Sequence, residues 1–186
     1  AGLVRVAAGA GHPRVVVVGD ALIDELRDED GVRELVGGAA LNVAVGLQQL
    51  GVSASLIAMV GDDPAGEQIR RYLARYGVEL IDTVGPLGTS RAVSTRDHGG
   101  EPVYEFNDAA QARRIHFTDR ERAAIADAAA VVISCFPFDD QPQTAELAEA
   151  LAESAAIVAI DPNPRGGMLH DRGEFIAGFE ALARLP

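Results

Sequence analysis

One continuous stretch of the sequence, from Val36 to Gly66, carries the residues best suited to hold a small polar molecule. Gly37 and Gly38 stand directly before a run of small residues with helical spacing, and because they lack Cβ atoms a ligand can touch the backbone there. The free N–H groups at the start of the following helix point at the same place. Asn42 falls in the first turn of that helix, and its side-chain amide both donates and accepts hydrogen bonds. This combination predicts a binding corner that suits a polyol.

The elements around this corner predict an α/β fold. Residues Arg14 to Gly19 form an uninterrupted β-branched run, as expected for the central, buried strand of a parallel sheet. Farther along, an Ala-rich helix is predicted from Asp119 to Ala130 and a strand from Val131 to Ser134, and strands and helices then alternate strictly. Such alternation predicts right-handed crossovers and a doubly wound, mostly parallel sheet flanked by helices, with ligands beyond the carboxyl ends of its strands. We expect one domain over residues 1–186.

Two hairpins interrupt this alternation. The first covers about residues 21–36, where apolar and charged residues alternate on both sides of a turn at Glu29 to Gly31. The second covers about residues 89–107, with its turn at His98 to Gly100. Together they predict a small β-sheet that stands apart from the main sheet.

The composition excludes several classes of function. The chain of 186 residues carries a formal net charge of −12, which opposes non-specific binding to nucleic acid or to an anionic membrane surface, so neither partner is expected. The absence of lysine excludes a Walker A loop and Schiff-base catalysis. A single cysteine, Cys135, allows no intramolecular disulfide, and we expect it to be a buried thiol in a protein of the reducing cytoplasm.

Two further patterns argue against other cofactors. Asp62 and Asp63 are adjacent acids, but they precede Pro64 in a turn, and such acids more often cap the next helix than bind a metal. We therefore predict no metal ligands. No G-x-G-x-x-G motif follows the first strand, which disfavours a dinucleotide-dependent oxidoreductase.

Five motifs in consistent order resemble the ribokinase/PfkB family of carbohydrate kinases, over the chain from Arg14 onward. They are G-D-A-L-I-D at Gly19 to Asp24, G-G-A-A-L-N-V-A at Gly37 to Ala44, L-Q-Q-L-G at Leu47 to Gly51, V-G-D-D-P-A-G at Val60 to Gly66, and D-P-N-P-R at Asp161 to Arg165. The first and last look most like the fructokinase and 2-keto-3-deoxygluconate kinase branch. The resemblance implies a ribokinase-like α/β domain with a β-sheet lid over the sugar, and the two hairpins lie where that lid should be.

The resemblance also implies roles for individual residues. The carboxylate that matches Asp24 accepts hydrogen bonds from two sugar hydroxyls, which fits an acceptor-only group. Gly37, Gly38 and Asn42 match the substrate-contacting glycines and asparagine of the family's first signature. Phe106, or its neighbour Tyr104, would cover an apolar face of the sugar, or would pack inside the lid.

Arg165 has two possible roles. In the 2-keto-3-deoxygluconate kinase branch the matching arginine makes a forked contact with the substrate carboxylate. The alternative is a structural ion pair with Asp161 or Asp171.

The function implied by the resemblance is ATP-dependent phosphorylation of a hydroxymethyl group of a ketose or sugar acid, with Mg²⁺ at the phosphates and a homodimer formed through the lids. The family's second signature, a D-T-x-G-A-G-D-like turn with the catalytic base, is not among the 186 residues. We therefore expect this chain to be the N-terminal part of the domain, with no catalytic residue of its own and with the base beyond Pro186. The alternative is a non-catalytic sugar-binding or regulatory relic of the same fold, if the natural chain ends here.

Overall fold

The main sheet is parallel and has five strands in the order β5-β4-β1-β8-β9. The computed structural model describes residues 14–28, 31–95 and 103–185. The strands are β1 (Val15–Gly19), β4 (Ala54–Gly61), β5 (Glu79–Gly85), β8 (Ala130–Ser134) and β9 (Ile157–Asp161). As predicted, β1 is central, and Val16, Val17 and Val18 are fully buried in it.

Helices cover both faces of this sheet. They are α1 (Ala39–Gln49), α2 (Pro64–Arg75), α3 (Asp108–Gln111), α4 (Asp119–Ala126), α5 (Gln141–Ala152) and α6 (Arg172–Ala183), with a 3₁₀ turn at Gly166–Met168. Val17 packs in one apolar core with Leu41 of α1 and Ile69 of α2. Val16 and Val18 point the other way, into a core with residues of α4, α5 and α6. Successive side chains of β1 thus enter two cores, one on each face of the sheet, as expected for the doubly wound fold predicted from the sequence.

A second sheet has four strands in the order β3-β2-β6-β7. They are β2 (Leu22–Asp28), β3 (Gly31–Gly37), β6 (Arg91–Thr95) and β7 (Val103–Phe106). β2 pairs antiparallel with β3, and β6 pairs antiparallel with β7, so both predicted hairpins are present. A parallel pairing of β2 with β6 joins the hairpins into one small sheet. The turn residues 29–30 and 96–102 lie outside the described residues.

Helix α4 is shorter than predicted. It ends at Ala126 instead of Ala130, although alanine favours helix throughout this segment. The Ala129 N–H donates to the carbonyl of Arg14 at 3.0 Å, and β8 begins at the next residue. Pairing with the central strand therefore overrides the local helix propensity, a tertiary effect that periodicity alone does not show.

Asp63 ties the small sheet to the main domain. Its side chain caps α2 by accepting from the Gly66 N–H at 2.8 Å, which confirms the predicted helix cap. The same carboxylate accepts from the Thr89 N–H at 2.8 Å and from the Thr89 hydroxyl at 2.6 Å, just before β6. Burial acts to raise the pKa of Asp63, but these hydrogen bonds outweigh it and hold the pKa below its ordinary value.

Candidate functional site

A cavity of about 590 Å³ lies between the small sheet and the end of the main sheet beyond β1 and β9. This is the edge where a doubly wound sheet binds its ligands, and the volume is within the usual range for small molecules. Five of the six residues predicted from the sequence line it: Asp24, Gly38, Asn42, Phe106 and Arg165.

The sixth predicted residue, Gly37, lies just behind the lining. It is buried, and a Cβ atom at its position would stand 2.1 Å from Oδ2 of Asp24. Gly37 thus leaves room for the Asp24 carboxylate. Gly38 has a φ of 112°, and a Cβ there would come within 2.7 Å of the Asp20 carbonyl oxygen, so both its conformation and its packing require glycine.

Asp24 and Asp20 are the acidic residues that line the cavity. Asp24 is half-buried on β2, and burial raises its pKa above the ordinary value. The charge of Asp20 raises the pKa further, whereas the charge of Arg165 lowers it. The pKa of Asp24 thus responds to a buried acid and to an arginine that lines the same cavity.

Asn42 and Arg165 offer unengaged polar groups. Neither side chain has a hydrogen-bond or ion-pair partner among the residues that the structure describes, and both are exposed where they line the cavity. The alternative ion pairs of Arg165 are not formed within this described part of the chain. Asp161 instead accepts from the Ser134 hydroxyl at 3.1 Å, and Asp171 caps α6 through the Glu174 N–H at 2.9 Å.

Phe106 connects the small sheet to the rim of the main sheet. Its ring lies against Gly167, where a Cβ atom would stand 2.6 Å from the ring carbon Cδ2. It also packs against Cys135 and Met168 of a small apolar cluster beneath the cavity. Tyr104 lies on the same face of β7 but is 59% exposed. Both aromatic candidates line the cavity, and Phe106 is the more buried of the two.

Asp20 is a site residue that the sequence did not single out. It is only 6% exposed, and its Oδ1 accepts from the Ala40 N–H of α1 at 2.9 Å. Burial raises the pKa of Asp20, opposed by the Ala40 hydrogen bond and by the charge of Arg113. The sequence did contain one indication of this role. Asp20 directly follows a buried strand, and ligands of a doubly wound sheet bind at the edge where such strands end.

Cys135 is a structural thiol within the small apolar cluster beneath the cavity. It is buried, as predicted, and burial together with the charge of Asp20 raises the pKa of the thiol to about 12. The neutral thiol is a poor nucleophile. Cys135 has a φ of 52°, which turns the chain as it leaves β8.

A family model for pfkB family carbohydrate kinases matches residues 12–177. The chain belongs to the pfkB family of carbohydrate kinases. Fructokinase from Klebsiella pneumoniae is 29% identical over 164 residues, which cover 85% of this chain and 53% of that protein. The ATP-dependent ribose-1-phosphate kinase of Halopiger xanaduensis is 33% identical over 170 residues, which cover 86% of this chain and 55% of that protein.

Solved structures show the same fold. Apo fructokinase from Vibrio cholerae O395 matches with a TM-score of 0.77 at 23% identity, over 93% of this chain and 61% of that chain. Fructokinase from Xylella fastidiosa with bound ATP matches with a TM-score of 0.72 at 23% identity, over 89% of this chain and 54% of that chain. These likenesses confirm the predicted ribokinase-like α/β architecture with a small second sheet. The pfkB family chain described here spans about half the length of the curated relatives it matches.

The described part of this pfkB family chain contains no group of three or more histidine, cysteine, aspartate or glutamate side chains arranged to hold a metal ion. In the same residues, no helix has the length and apolar character needed to cross a membrane.

Proposed function

We propose that this pfkB family chain binds a sugar in the cavity in front of Asp24, as the sugar-binding part of an ATP-dependent kinase that phosphorylates a hydroxymethyl group of a ketose or sugar acid. One observation carries the proposal. The carboxylate of Asp24 shares a single cavity with Asn42 and Arg165, whose polar groups have no partner among the described residues. Such a set of acceptors and donors matches a molecule with several hydroxyl groups.

Each wall of the cavity has its own task in this proposal. Ionised Asp24 accepts hydrogen bonds from two neighbouring hydroxyls, and Asn42 both donates to and accepts from others. Gly38 lets the sugar approach the backbone at the start of α1. Phe106 covers an apolar face of the sugar, and the small sheet acts as a lid that excludes water from the transferred phosphoryl group.

Arg165 is proposed to decide between the two substrate classes. An arginine fork binds a carboxylate through parallel hydrogen bonds, which favours a sugar acid. The fructokinases among the relatives favour a ketose.

ATP and Mg²⁺ are the proposed cofactors. ATP is bound in the Xylella fastidiosa fructokinase structure, and the Halopiger xanaduensis kinase is ATP-dependent. The described residues do not fit a site for Mg²⁺. The contribution of this chain is to bind and orient the acceptor alcohol, and we place the catalytic base outside it, because the family's second signature is not in the 186 residues.

A homodimer through the small sheets is part of the proposal, as is a cytoplasmic location. Leu35 and Tyr104 lie on the same face of the small sheet as Asp24 and are 55% and 59% exposed. Apolar side chains so exposed beside a binding cavity support contact with a second copy of the chain.

The proposed cytoplasmic location is supported by Cys135, the single cysteine, which is buried and free. A chain with no intramolecular disulfide is typical of a reducing compartment.

Calorimetric titration of the full-length protein with D-fructose and with 2-keto-3-deoxygluconate tests the binding. Wild-type protein should bind one of them, and Asp24→Asn should abolish that binding. Glu105→Gln is the matched control, since Glu105 is exposed on the opposite face of the same small sheet. Retention of wild-type affinity by Asp24→Asn would refute the assignment.

Sugar-dependent production of ADP separates the two functions considered for this fold. A kinase converts ATP to ADP only when the sugar is present. The alternative, a non-catalytic sugar-binding module, binds the sugar with the same dependence on Asp24 but produces no ADP.

A further inference from the structure

Asp20 connects the two elements that carry the proposed sugar site, β2 with Asp24 and α1 with Asn42. It follows β1 directly, and β2, which carries Asp24, begins two residues later. Its side chain and its backbone reach in the other direction, to the start of α1. The Ala40 N–H donates to Asp20 Oδ1 at 2.9 Å, and the Leu41 N–H donates to the Asp20 carbonyl at 3.2 Å. One residue thus holds two consecutive amides of the helix that presents Asn42.

Helix α1 has no cap of its own. Its N-cap residue is Gly38, which has no side chain, and its first turn contains no acidic residue. The unpaired amides at a helix start need an acceptor, and losing such an acceptor loosens the first turn. Asp20 supplies the acceptor from 20 residues earlier in the chain. The close approach depends on Gly38, because a Cβ there would lie 2.7 Å from the Asp20 carbonyl oxygen.

The position of Asn42 depends on this contact. Asn42 lies in the same first turn, and its N–H donates to the Gly38 carbonyl at 2.9 Å. A shift of the helix start therefore moves Gly38 and Asn42 together, relative to Asp24 on β2. We infer that Asp20 is a positioning residue for the proposed sugar site, holding the first turn of α1 in register with Asp24, an inference that rests on the proposed function.

The charged and titratable groups around Asp20 come from four segments. Arg113, between α3 and α4, favours the ionised form of Asp20 and is itself held by the carbonyls of Ala110 at 3.1 Å and Cys135 at 3.3 Å. The neutral thiol of Cys135 lies beside Asp20 at the end of β8. Asp24 on β2 feels the negative charge of Asp20, and Arg165, after β9, acts on Asp24 in the opposite direction.

Asp20 therefore has two separable effects. Its oxygen accepts the Ala40 hydrogen bond, a task that an uncharged amide oxygen can also perform. Its charge raises the pKa of Asp24, a task that only the carboxylate can perform. Asp20→Asn removes the charge and keeps an acceptor, whereas Asp20→Ala removes both.

The experiment measures the dissociation constant of the sugar across a pH series in the full-length protein, with D-fructose and 2-keto-3-deoxygluconate as probes. Asp20→Ala should weaken binding about tenfold or more at every pH, as expected for loss of a buried hydrogen bond. Asp20→Asn should keep the affinity at neutral pH within about threefold. Because loss of the Asp20 charge lowers the pKa of Asp24, the loss of sugar binding in acid should occur at a lower pH than in wild type. Asp62→Ala and Asp62→Asn are matched controls, because Asp62 follows β4 after a glycine as Asp20 follows β1 but is exposed.

Amide hydrogen exchange supplies a readout that needs no sugar. The Ala40 and Leu41 amides should be protected in wild-type and Asp20→Asn protein and should exchange faster in Asp20→Ala. Unchanged exchange of Ala40 in Asp20→Ala would overturn the inference, as would unchanged affinity with a merely lowered melting temperature. Wild-type protein that binds neither probe refutes the proposed function instead, and the exchange result then still decides whether Asp20 holds the helix start.

Discussion

The carboxylate of Asp24 occupies the space that a side chain at Gly37 would need, since a Cβ at Gly37 would lie 2.1 Å from Asp24 Oδ2. The two residues lie on paired strands, where Gly37 faces Leu22 and Asp24 faces Leu35. Gly37 therefore serves the proposed sugar site without lining it. The two adjacent glycines therefore have different roles. Gly37 leaves room for the Asp24 carboxylate, and Gly38 allows the turn into α1.

The first prediction concerns Gly37→Ala. The added methyl group should push the Asp24 carboxylate away from the sugar and weaken binding about 10- to 100-fold, the usual effect of losing hydrogen bonds to a charged group. Calorimetric titration measures the loss, and circular dichroism should show an intact fold. Gly46→Ala is the control, because a Cβ at Gly46 meets nothing within 4 Å. An unchanged dissociation constant for Gly37→Ala would contradict this role.

The second prediction concerns the stability cost of Asp24. Because its folded pKa lies above its unfolded value, the folded state holds the proton more tightly, and the free energy of unfolding falls as the pH rises through that interval. Asp24→Asn should therefore raise the melting temperature at neutral pH while it abolishes sugar binding. The gain should vanish as the pH falls below the unfolded pKa, where Asp24 is protonated in both states. A lower melting temperature of Asp24→Asn at neutral pH would show that the carboxylate stabilises the fold.

The third prediction concerns Arg165. Its charge lowers the pKa of Asp24, so Arg165→Met should raise that pKa and move the acid-side loss of sugar binding to higher pH. If the substrate is a sugar acid, affinity at neutral pH should also fall by about tenfold or more, through loss of the forked contact. Arg172→Met is the control, since Arg172 is exposed at the start of α6. A pH profile that coincides with wild type would contradict the coupling between Arg165 and Asp24.

The fourth prediction concerns the contact of Gly167 with Phe106. A methyl group at Gly167 would stand 2.6 Å from the Phe106 ring, so Gly167→Ala should displace the ring and the end of β7 and weaken sugar binding. We expect a loss of about 5- to 30-fold, which corresponds to a lost apolar contact of about 1–2 kcal/mol. Gly46→Ala should bind normally, because Gly46 does not line the cavity and a Cβ there meets nothing within 4 Å. Equal affinity of the two variants would exclude a role of this contact in binding.

The fifth prediction concerns Asp63. Asp63→Ala removes the cap of α2 and the bonds to Thr89, and it should lower the free energy of unfolding by at least about 1–2 kcal/mol. Because its folded pKa lies below the unfolded value, this stabilisation is present above the unfolded pKa and is lost as the pH falls through the folded pKa. Thermal melts at neutral and acidic pH measure both effects. A wild-type margin over Asp63→Ala that persists at strongly acidic pH would contradict this linkage.

Much of the fold followed from local patterns. The apolar run before Gly19, the two hairpins and the late alternation of strands and helices predicted a doubly wound sheet with a second small sheet, and both sheets are present. Such patterns are readable because burial imposes a period of two on strands and about 3.6 on helices. The end of α4 could not be predicted from local patterns, because it depends on the hydrogen bond from the Ala129 N–H to the carbonyl of Arg14, more than a hundred residues earlier.

By itself, the sequence determined the family, the fold class and five of the residues that line the cavity: Asp24, Gly38, Asn42, Phe106 and Arg165. All of them except Phe106 belong to motifs that can be recognised by their order and spacing alone. Only the tertiary structure decided what each one faces. It placed Gly37 behind Asp24, left Arg165 without an ion pair among the described residues, and buried Asp20 against the first amides of α1. Those outcomes depend on how distant segments meet, because burial, electrostatic coupling and the room around a missing Cβ are properties of the assembled chain.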